Sequence, residues 1–134
     1  MSTQFLFVCT VNTCRSPMAE ALAEARGVAA ESAGVAAQGG DGAAPNAVRA
    51  LRDARGLSLH DHEPRDVSEG DLSGADHIVA MSPAVARRLR ENHDVDPDAL
   101  ITWAISDPYG ESLADYRWCV EQIATALDDL LGLR

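Results

Sequence analysis

The sequence predicts a single α/β domain over residues 1–134, with a parallel sheet of about four strands and helices on both of its faces. Two observations lead to this fold class. Short apolar runs alternate along the chain with longer segments of helical periodicity. The runs are continuously apolar, which is typical of parallel strands buried on both faces. The length fits one domain, and 46% hydrophobic with 24% charged residues is an ordinary globular composition.

The first half of the chain predicts two strands and two helices. Pro17 follows Ser16 and begins a run of strong helix formers that stops at Gly27, because proline is favoured in the first turn of a helix. Gly56 has the position of a helix C-cap. In order, the predicted elements are a strand at 5–9, a helix at 17–26, a strand at 28–34, a glycine-rich loop at 36–44 and a helix at 46–55.

The second half repeats the alternation. Ser82 and Pro83 begin a helix directly after an apolar run. Ligands of such sheets bind beyond the carboxyl ends of the strands. In order, the predicted elements are a strand at 76–81, a helix to about 92, an acidic loop, a strand at 100–105 and a long amphipathic helix with apolar residues Leu113, Tyr116, Val120, Ile123, Leu127, Leu130 and Leu131.

The charge of the chain is unusually negative. Asp and Glu number 21 against 11 basic residues, all of them Arg, which gives a net charge of −10. Such a surface repels phosphate backbones and anionic lipids, so neither nucleic acid nor a membrane is an expected partner. An acidic surface with arginine alone is expected of a halophile or of a very GC-rich genome, and both origins stay open.

The N-terminal residues and the cysteines indicate the cellular compartment in which the protein is expected. The first residues lack a basic segment and a long apolar run, so they do not predict a signal peptide. No stretch approaches the roughly 18 to 20 apolar residues that span a bilayer. Cys9, Cys14 and Cys119 are too few for a disulfide framework. We therefore expect a cytoplasmic protein with reduced thiols.

The segment between the first strand and the first helix contains the candidate chemistry. Cys9 ends the strand, and Arg15 follows it by six residues, directly before Ser16 and Pro17. Backbone N–H groups of a loop that enters a helix can converge on an anion, and the helix dipole adds positive charge. Such a field favours a cysteine as its thiolate, and a guanidinium can hold two oxygens of a tetrahedral oxyanion. The pattern predicts a nucleophile beneath a phosphate-binding loop.

These residues resemble the low-molecular-weight protein tyrosine phosphatase family. The resemblance runs through most of the chain and keeps the order of the family's motifs. Beyond residues 9–17 it includes Ser-Ala-Gly at 32–34, His-Glu-Pro-Arg at 62–65, the apolar run at 76–81 and Asp-Pro-Tyr-Gly at 107–110.

The resemblance implies a role for each matched position. Cys9 would take the phosphoryl group, Arg15 would bind its oxygens, and Asp107 would protonate the leaving group and then activate water. No metal or cofactor is implied, because arginine and backbone amides stabilise the charge. Asn12 and His62 would hold the loop in shape, and Ser16 would donate to the thiolate. The implied contacts to phosphate or substrate are Thr10, Val11, Asn12, Thr13, Cys14, Ser16 and, as an aromatic wall, Tyr109.

Two positions distinguish this chain from members of the family that it resembles. Val11 stands where most relatives have glycine, so either the backbone there is ordinary or the loop and the pocket mouth differ. Thr13 stands where tyrosine-specific relatives carry an aliphatic residue and bacterial protein arginine phosphatases carry threonine. Thr13 and the short segment at 107–110 favour the arginine branch, while the choice between phosphotyrosine and phosphoarginine stays open.

The other two cysteines have different expectations. Cys119 lies beside the apolar stripe of the last helix, which predicts a buried structural thiol. Cys14 is either a packing residue or, as the resemblance implies, a partner that forms a disulfide with Cys9 and protects it from overoxidation.

The expected activity is metal-independent hydrolysis of a phosphorylated protein or peptide, by a monomer or weak dimer. One alternative is an arsenate reductase on the same fold, but such thiol-coupled enzymes have two further cysteines near the third strand, and residues 76–106 contain none. Their first helix usually opens with glutamine, where this chain has Pro17. The other alternative is a non-catalytic anion-binding or phosphocarrier module, which has no need of an acid and base such as Asp107.

Overall fold

The computed structural model describes residues 3–37, 39 and 42–133, and a four-stranded parallel sheet forms its centre. The strands, in the spatial order β2-β1-β3-β4, are β1 (Gln4–Cys9), β2 (Ala29–Gly34), β3 (His77–Ala80) and β4 (Leu100–Thr102). The helices are α1 (Arg15–Ala25), α2 (Pro45–Arg55), α3 (Glu69–Gly74), α4 (Pro83–Asn92) and α5 (Leu113–Leu130). The predicted fold class is confirmed.

The two faces of β1 contribute to two separate cores. Phe5 and Phe7 pack among residues of α1, α2 and α5, whereas Leu6 and Val8 pack among residues of α3 and α4. Successive side chains of a strand point to opposite faces, so a continuously apolar strand requires cover on both sides. The apolar sequence of β1 thus explains its position inside the sheet, with helices on both faces.

The parallel register brings the carboxyl ends of the strands to one edge. Cys9, the last residue of β1, pairs with Gly34, the last residue of β2. Beyond β4, the N–H of Ile105 still donates to the carbonyl of Met81 at 3.0 Å. The segments that follow the strands therefore meet at this edge of the sheet.

Two predicted boundaries differ from the structure by two residues or more. α1 begins at Arg15 and not at Pro17, because the N–H of Met18 already donates to the carbonyl of Cys14 at 3.2 Å. β4 ends at Thr102 and not at 105, although backbone hydrogen bonding continues beyond it. Of the predicted glycine-rich loop at 36–44, residues 38, 40 and 41 lie outside the described residues, and the described remainder contains no helix or strand before α2.

The short helix α3 is absent from the elements expected from the sequence. It contains two glycines, which disfavour helix formation. A capping box stabilises it: the N–H of Asp71 donates to Ser68 Oγ at 3.1 Å, and the N–H of Ser68 donates to Asp71 Oδ2 at 2.8 Å. Arg65 adds an ion pair to Asp71 at 2.7 Å. Local polar contacts and the burial of Leu72 thus outweigh the weak helix propensity.

The last helix, α5, is the longest of the described helices. Its buried face includes Val120, Ile123 and Leu127 and packs against α1 and α2. Ser112 and Asp115 form a capping box at its start, which satisfies N–H groups that have no partner within the helix. Over residues 3–37, 39 and 42–133, no helix has both the length and the apolarity needed to cross a membrane.

Candidate active site

A five-residue loop joins β1 to α1 at the edge where the strands end. Cys9 is the last residue of β1 and Arg15 is the first of α1, so the predicted nucleophile and the predicted cation flank the loop. The segment after β2 holds the loop from one side: the N–H of Val35 donates to the carbonyl of Cys9 at 3.0 Å, and the N–H of Ala36 donates to that of Thr10 at 2.8 Å. Free N–H groups of the first helical turn lie at this same end.

The thiol of Cys9 is enclosed by its own loop, with 2% of the residue surface exposed. Its Sγ lies 2.8 Å from Ser16 Oγ, and the backbone N–H of Asn12 donates to it at 3.3 Å. The Ser16 hydroxyl can donate to this sulfur, as the amide of Asn12 does. Hydrogen bonds to a charged acceptor are stronger than neutral ones, so two donors at one sulfur suit a site that is predicted to use a thiolate.

The side chain of Asn12 connects the loop to the elements behind it. Asn12 is fully buried, and its Nδ2 donates to Ser16 Oγ at 2.8 Å and to Ser32 Oγ at 3.1 Å. Its Oδ1 accepts from the N–H of Arg65 at 3.1 Å. Ser32 Oγ in turn donates to Glu20 Oε1 at 2.5 Å. A continuous chain of hydrogen bonds therefore runs from the sulfur of Cys9 through α1 and β2.

The backbone of the loop is left-handed at Asn12. Its φ is 61°, and no other non-glycine residue described has a positive φ. Asparagine tolerates this conformation better than most residues. Val11 therefore has an ordinary backbone, which decides between the two possibilities that its sequence position leaves open. Valine at position 11 therefore does not strain the backbone of the loop.

Gly34 allows β2 to approach the loop at a distance that no side chain permits. A Cβ at this position would lie 2.6 Å from the carbonyl oxygen of Thr10 and 3.1 Å from the backbone nitrogen of Asn12. Both are backbone atoms and cannot move aside without deforming the loop. The Ser-Ala-Gly motif at 32–34 is part of the family resemblance, but only the structure assigns this packing role to Gly34.

His62 lies against the loop, as the predicted pairing with Asn12 requires. Its Nε2 is 2.7 Å from the backbone carbonyl oxygen of Asn12. Because a carbonyl can only accept, Nε2 carries a proton in this contact. The neighbouring segment is fixed to the edge of β2, where the N–H of Gly34 donates to the carbonyl of Arg65 at 2.9 Å. His62 thus supports the loop through its backbone.

Arg15 is buried and directed toward the segment after β4. Its Nη1 donates to the carbonyl of Ile105 at 3.0 Å, and its Nη2 lies 3.4 Å from Thr10 Oγ1. The same Nη2 is 3.7 Å from Asp107 Oδ2. These contacts fix the guanidinium in one orientation between the loop at 10–14 and the predicted acid.

Asp107 stands two residues beyond Ile105 on the same edge as Cys9. Its Oδ1 accepts from the N–H of Tyr109 at 3.1 Å, which stabilises the turn at Pro108, while its Oδ2 faces Arg15. About half of the carboxylate side chain is exposed, so solvent reaches it. Tyr109, the predicted aromatic wall, is 66% exposed at the surface beside it.

Tyr116 on α5 connects the loop at 10–14 with the segment at 107–110. The sequence does not predict this contact. Its hydroxyl lies 3.5 Å from Cys14 Sγ and accepts a hydrogen bond from the backbone of Gly110. Burial, followed by the contact with Cys14, raises the pKa of Tyr116 well above its usual value. The hydroxyl therefore stays protonated, and either this hydroxyl or the Cys14 thiol can donate in their contact. The sequence offers one indication of such a contact: the hydroxyl of a buried tyrosine usually has a hydrogen-bond partner.

Cys14 and Cys119 are buried, and the structure records no disulfide among the three cysteines. Burial raises the pKa of the Cys14 thiol, and it raises the pKa of Cys119 to about 12. Both are therefore neutral thiols near pH 7. The burial of Cys119 agrees with its predicted structural place, while a protective pairing of Cys14 with Cys9 stays a prediction.

The remaining predicted contacts lie along the loop. Thr13 and Val11 are both partly exposed. The Thr13 carbonyl accepts from the N–H of Ala44 at 2.9 Å, and its Oγ1 is 3.6 Å from Cys14 Sγ. Within the part of the chain that the structure describes, no group of three or more His, Cys, Asp or Glu side chains is arranged to hold a metal ion.

Comparison with known proteins finds a family match that spans nearly the whole chain. The sequence model of the family described as low molecular weight phosphotyrosine protein phosphatase matches residues 4–133. That range includes the loop at 10–14 and every strand and helix given above.

Individual relatives agree with this match. A protein-arginine-phosphatase of Geobacillus stearothermophilus is 32% identical over 142 residues, which cover 97% of this chain and 95% of the relative. The crystal structure of a low molecular weight protein tyrosine phosphatase from T. tengcongensis has a TM-score of 0.92 at 35% identity and covers 99% of this chain and 100% of that chain. A structure of the YwlE arginine phosphatase, a Cys-to-Ser mutant with a phosphorylated active-site serine, has a TM-score of 0.89 at 31% identity, covering 98% and 95%.

One relative bears on the alternative chemistry. An arsenate reductase of Brevibacillus brevis is 31% identical over 134 residues, which cover 90% of this chain and 88% of the relative.

Proposed function

We propose a reaction for this site from one premise: the chain belongs to the low molecular weight phosphotyrosine protein phosphatase family and is a hydrolase of that family. The reaction removes the phosphoryl group from a phosphorylated protein side chain through a phosphocysteine at Cys9. The observation that carries the proposal is the pair of donors on Cys9 Sγ, Ser16 Oγ at 2.8 Å and the N–H of Asn12 at 3.3 Å, at the start of α1.

In the first step the Cys9 thiolate attacks phosphorus. A sulfur–phosphorus bond forms, and the bond from phosphorus to the oxygen or nitrogen of the substrate side chain breaks. The leaving atom takes a proton from the carboxyl group of Asp107. The phosphorylated active-site serine in the Cys-to-Ser mutant of the related arginine phosphatase supports a covalent phosphoryl-enzyme.

In the second step water attacks the phosphorus of the phosphocysteine. The Asp107 carboxylate accepts a proton from that water, the sulfur–phosphorus bond breaks, and inorganic phosphate leaves. Cys9 returns as a thiolate and Asp107 as an acid, so the cycle closes without another reactant. The partial exposure of Asp107 supports this role, because the water must reach it from solvent.

Arg15 and the loop amides provide the charge stabilisation in this proposal. Groups that are fixed before the reaction stabilise the transition state without a cost of reorganisation. The hydrogen bond from Arg15 Nη1 to the carbonyl of Ile105 supports such a fixed guanidinium. A metal ion is not required for this chemistry.

The leaving group is proposed to be phosphoarginine or phosphotyrosine, with Thr13 favouring the former. Relatives of both specificities match this chain at similar identity, so overall similarity does not separate them. A hydroxyl at the partly exposed position 13 can bond a polar guanidinium, whereas an aliphatic side chain cannot.

Arsenate reduction is the second candidate, because one reductase is among the relatives. That chemistry needs further thiols that can exchange with the first. Residues 76–106 contain no cysteine, and burial raises the pKa of Cys14 and Cys119. These features favour hydrolysis over reduction.

The decisive experiment is hydrolysis of para-nitrophenyl phosphate in the presence of a chelator. We expect turnover without added metal, competitive inhibition by vanadate, and a loss of about four orders of magnitude or more in kcat for Cys9→Ser. Cys119→Ala removes a thiol outside the loop and serves as the matched control, with its fold checked by circular dichroism. Near-wild-type turnover by Cys9→Ser would refute the proposal, and thiol-dependent arsenate reduction without phosphatase activity would favour the reductase.

Substrate choice is tested with phosphoarginine and phosphotyrosine in the same peptide. We expect Thr13→Ile to lower the ratio of kcat/KM for the phosphoarginine peptide to kcat/KM for the phosphotyrosine peptide by about threefold to tenfold. This is the effect expected from the loss of one hydrogen bond. Thr13→Ser keeps the hydroxyl and should keep the ratio. An unchanged ratio in Thr13→Ile would show that Thr13 does not determine the choice between phosphoarginine and phosphotyrosine.

A further inference from the structure

A cleft of about 230 Å³ lies beside Asp107, on the side of α5. It is lined by Asp107, Pro108, Glu111, Asp115, Trp118 and Gln122, among others, and we name it the Trp118 cleft. Asp107 lines the cleft and also faces Arg15 of the candidate active site, so the two adjoin at this residue. A substrate chain that delivers its phosphorylated residue to Cys9 therefore passes close to this cleft.

Trp118 presents a large apolar surface to solvent in this cleft. It is 63% exposed, although its neighbours Cys119 and Val120 are buried in the core. Among the described residues, the exposed large hydrophobic side chains are Tyr109, Trp118 and Leu133, and two of these three flank Asp107. An exposed indole beside a cleft offers a π face that attracts cations.

The charge of the Trp118 cleft is uniformly negative. Asp107, Glu111 and Asp115 line it, and no basic residue does. Asp107 faces Arg15, and Asp115 caps α5. The Glu111 side chain forms no hydrogen bond or ion pair with any described residue, so its carboxylate is available to a ligand.

We propose that the Trp118 cleft binds the cationic side chain, arginine or lysine, of a residue near the phosphorylated one in a protein substrate. The cation would lie on the indole of Trp118 and pair with the carboxylate of Glu111. This inference rests on the proposed phosphatase function and names a feature of its substrates. It also explains how electrostatic repulsion is offset. A chain of net charge −10 repels a phosphorylated peptide unless cationic residues of that peptide compensate.

The test compares phosphopeptides that differ at one flanking position. Each pair has the same phosphorylated residue and carries either Arg or Gln one, two or three positions away on either side. For at least one position we expect the wild type to prefer Arg by about tenfold in kcat/KM at low salt. Raising the salt to about 0.5 M should shrink this preference, because exposed charges are then screened.

The variants are Trp118→Ala, Glu111→Gln and their combination. We expect the Arg-to-Gln ratio to fall in each single variant and to approach one in the double variant. Rates on para-nitrophenyl phosphate, which has no flanking residues, normalise for any change in the loop. Glu91→Gln is the matched control, since Glu91 is exposed in the last turn of α4, at the opposite edge of the sheet, and should keep the ratio.

Two results would overturn the inference while leaving the phosphatase function intact. One is that the wild type hydrolyses para-nitrophenyl phosphate but has an Arg-to-Gln ratio near one at every peptide position, or that its Arg-to-Gln ratio is unchanged in the double variant. The other is wild-type self-association by analytical ultracentrifugation that Trp118→Ala abolishes without change in the ratio, which would assign Trp118 to a second copy of the chain. Absence of hydrolysis for para-nitrophenyl phosphate and for every phosphotyrosine and phosphoarginine peptide would instead refute the proposed function itself.

Discussion

At the scale of single residues, Asn12 combines two demands that few side chains meet. Its backbone is left-handed, and its buried amide contacts Ser16, Ser32 and the backbone of Arg65. Its carbonyl also accepts from His62. The loop conformation and the hydrogen bonds around Cys9 therefore depend on one residue.

Replacing Asn12 by alanine and by glycine separates these two demands. Both variants lose the amide, and we expect each to destabilise the protein and to lower kcat. Alanine also has to adopt a positive φ, so Asn12→Ala should be less stable than Asn12→Gly by about 1 kcal/mol in denaturant unfolding. Equal stabilities would mean that the loop relaxes to another backbone conformation once the amide is gone.

The members of the site follow from sequence to different degrees. Cys9, Arg15 and Asp107 belong to motifs with fixed spacing, and the structure brings them to one edge as the motifs predict. The role of Tyr116 in joining two loops could not be predicted, because a tyrosine within an apolar stripe is also an ordinary core residue. Such contacts depend on how elements far apart in sequence approach each other.

At the scale of elements, β2 is packed against the loop at 10–14 more closely than any side chain would allow. Gly34 has no positive φ to explain the glycine, so close approach alone requires it. The same strand end pairs with the segment at 65–67, which supports His62. β2 therefore fixes both sides of the loop.

We expect Gly34→Ala to lower kcat strongly and to destabilise the fold by about 1–3 kcal/mol, since an added methyl group overpacks against backbone. Gly74→Ala is the matched control, because a Cβ there meets no atom within 4 Å and its φ is not positive. Kinetics with para-nitrophenyl phosphate and urea unfolding measure both effects. Wild-type behaviour of Gly34→Ala would show that the loop can move away from β2.

Elements were predictable where the pattern was long or strongly apolar. The long apolar periodicity of α5 predicts it closely, and the apolar run of β1 predicts its central position. α3 escapes prediction because six residues with two glycines have weak propensity and depend on a capping box and one buried leucine. The end of β4 was overestimated because apolar residues continue beyond its last paired residue.

At the scale of the whole molecule, excess negative charge opposes compactness. Surface ion pairs such as Arg55–Glu121 and Arg117–Asp53 offset part of it, but each exposed pair contributes only about 0–1 kcal/mol. Ten unbalanced negative charges remain at neutral pH. Their mutual repulsion is therefore the larger electrostatic effect on stability.

Salt should accordingly stabilise the protein. We expect the melting temperature to rise by a few degrees as sodium chloride increases to about 0.5 M, because the screening length falls below the spacing of surface charges. A further rise in the molar range would favour an origin in a saline habitat, and a plateau would favour a GC-rich genome. A melting temperature that falls with salt would contradict the dominance of repulsion.

The contacts of Arg15 and Cys14 also have a consequence for protein synthesis. The ribosome makes residues 9–15 long before it makes Ile105, whose carbonyl accepts from Arg15, and Tyr116, whose hydroxyl meets Cys14. A nascent chain that lacks α5 thus has Cys9 without the groups that fix its surroundings. We therefore expect phosphatase activity to appear only when the fold is complete. An unfinished chain would then not act on phosphoproteins near the ribosome.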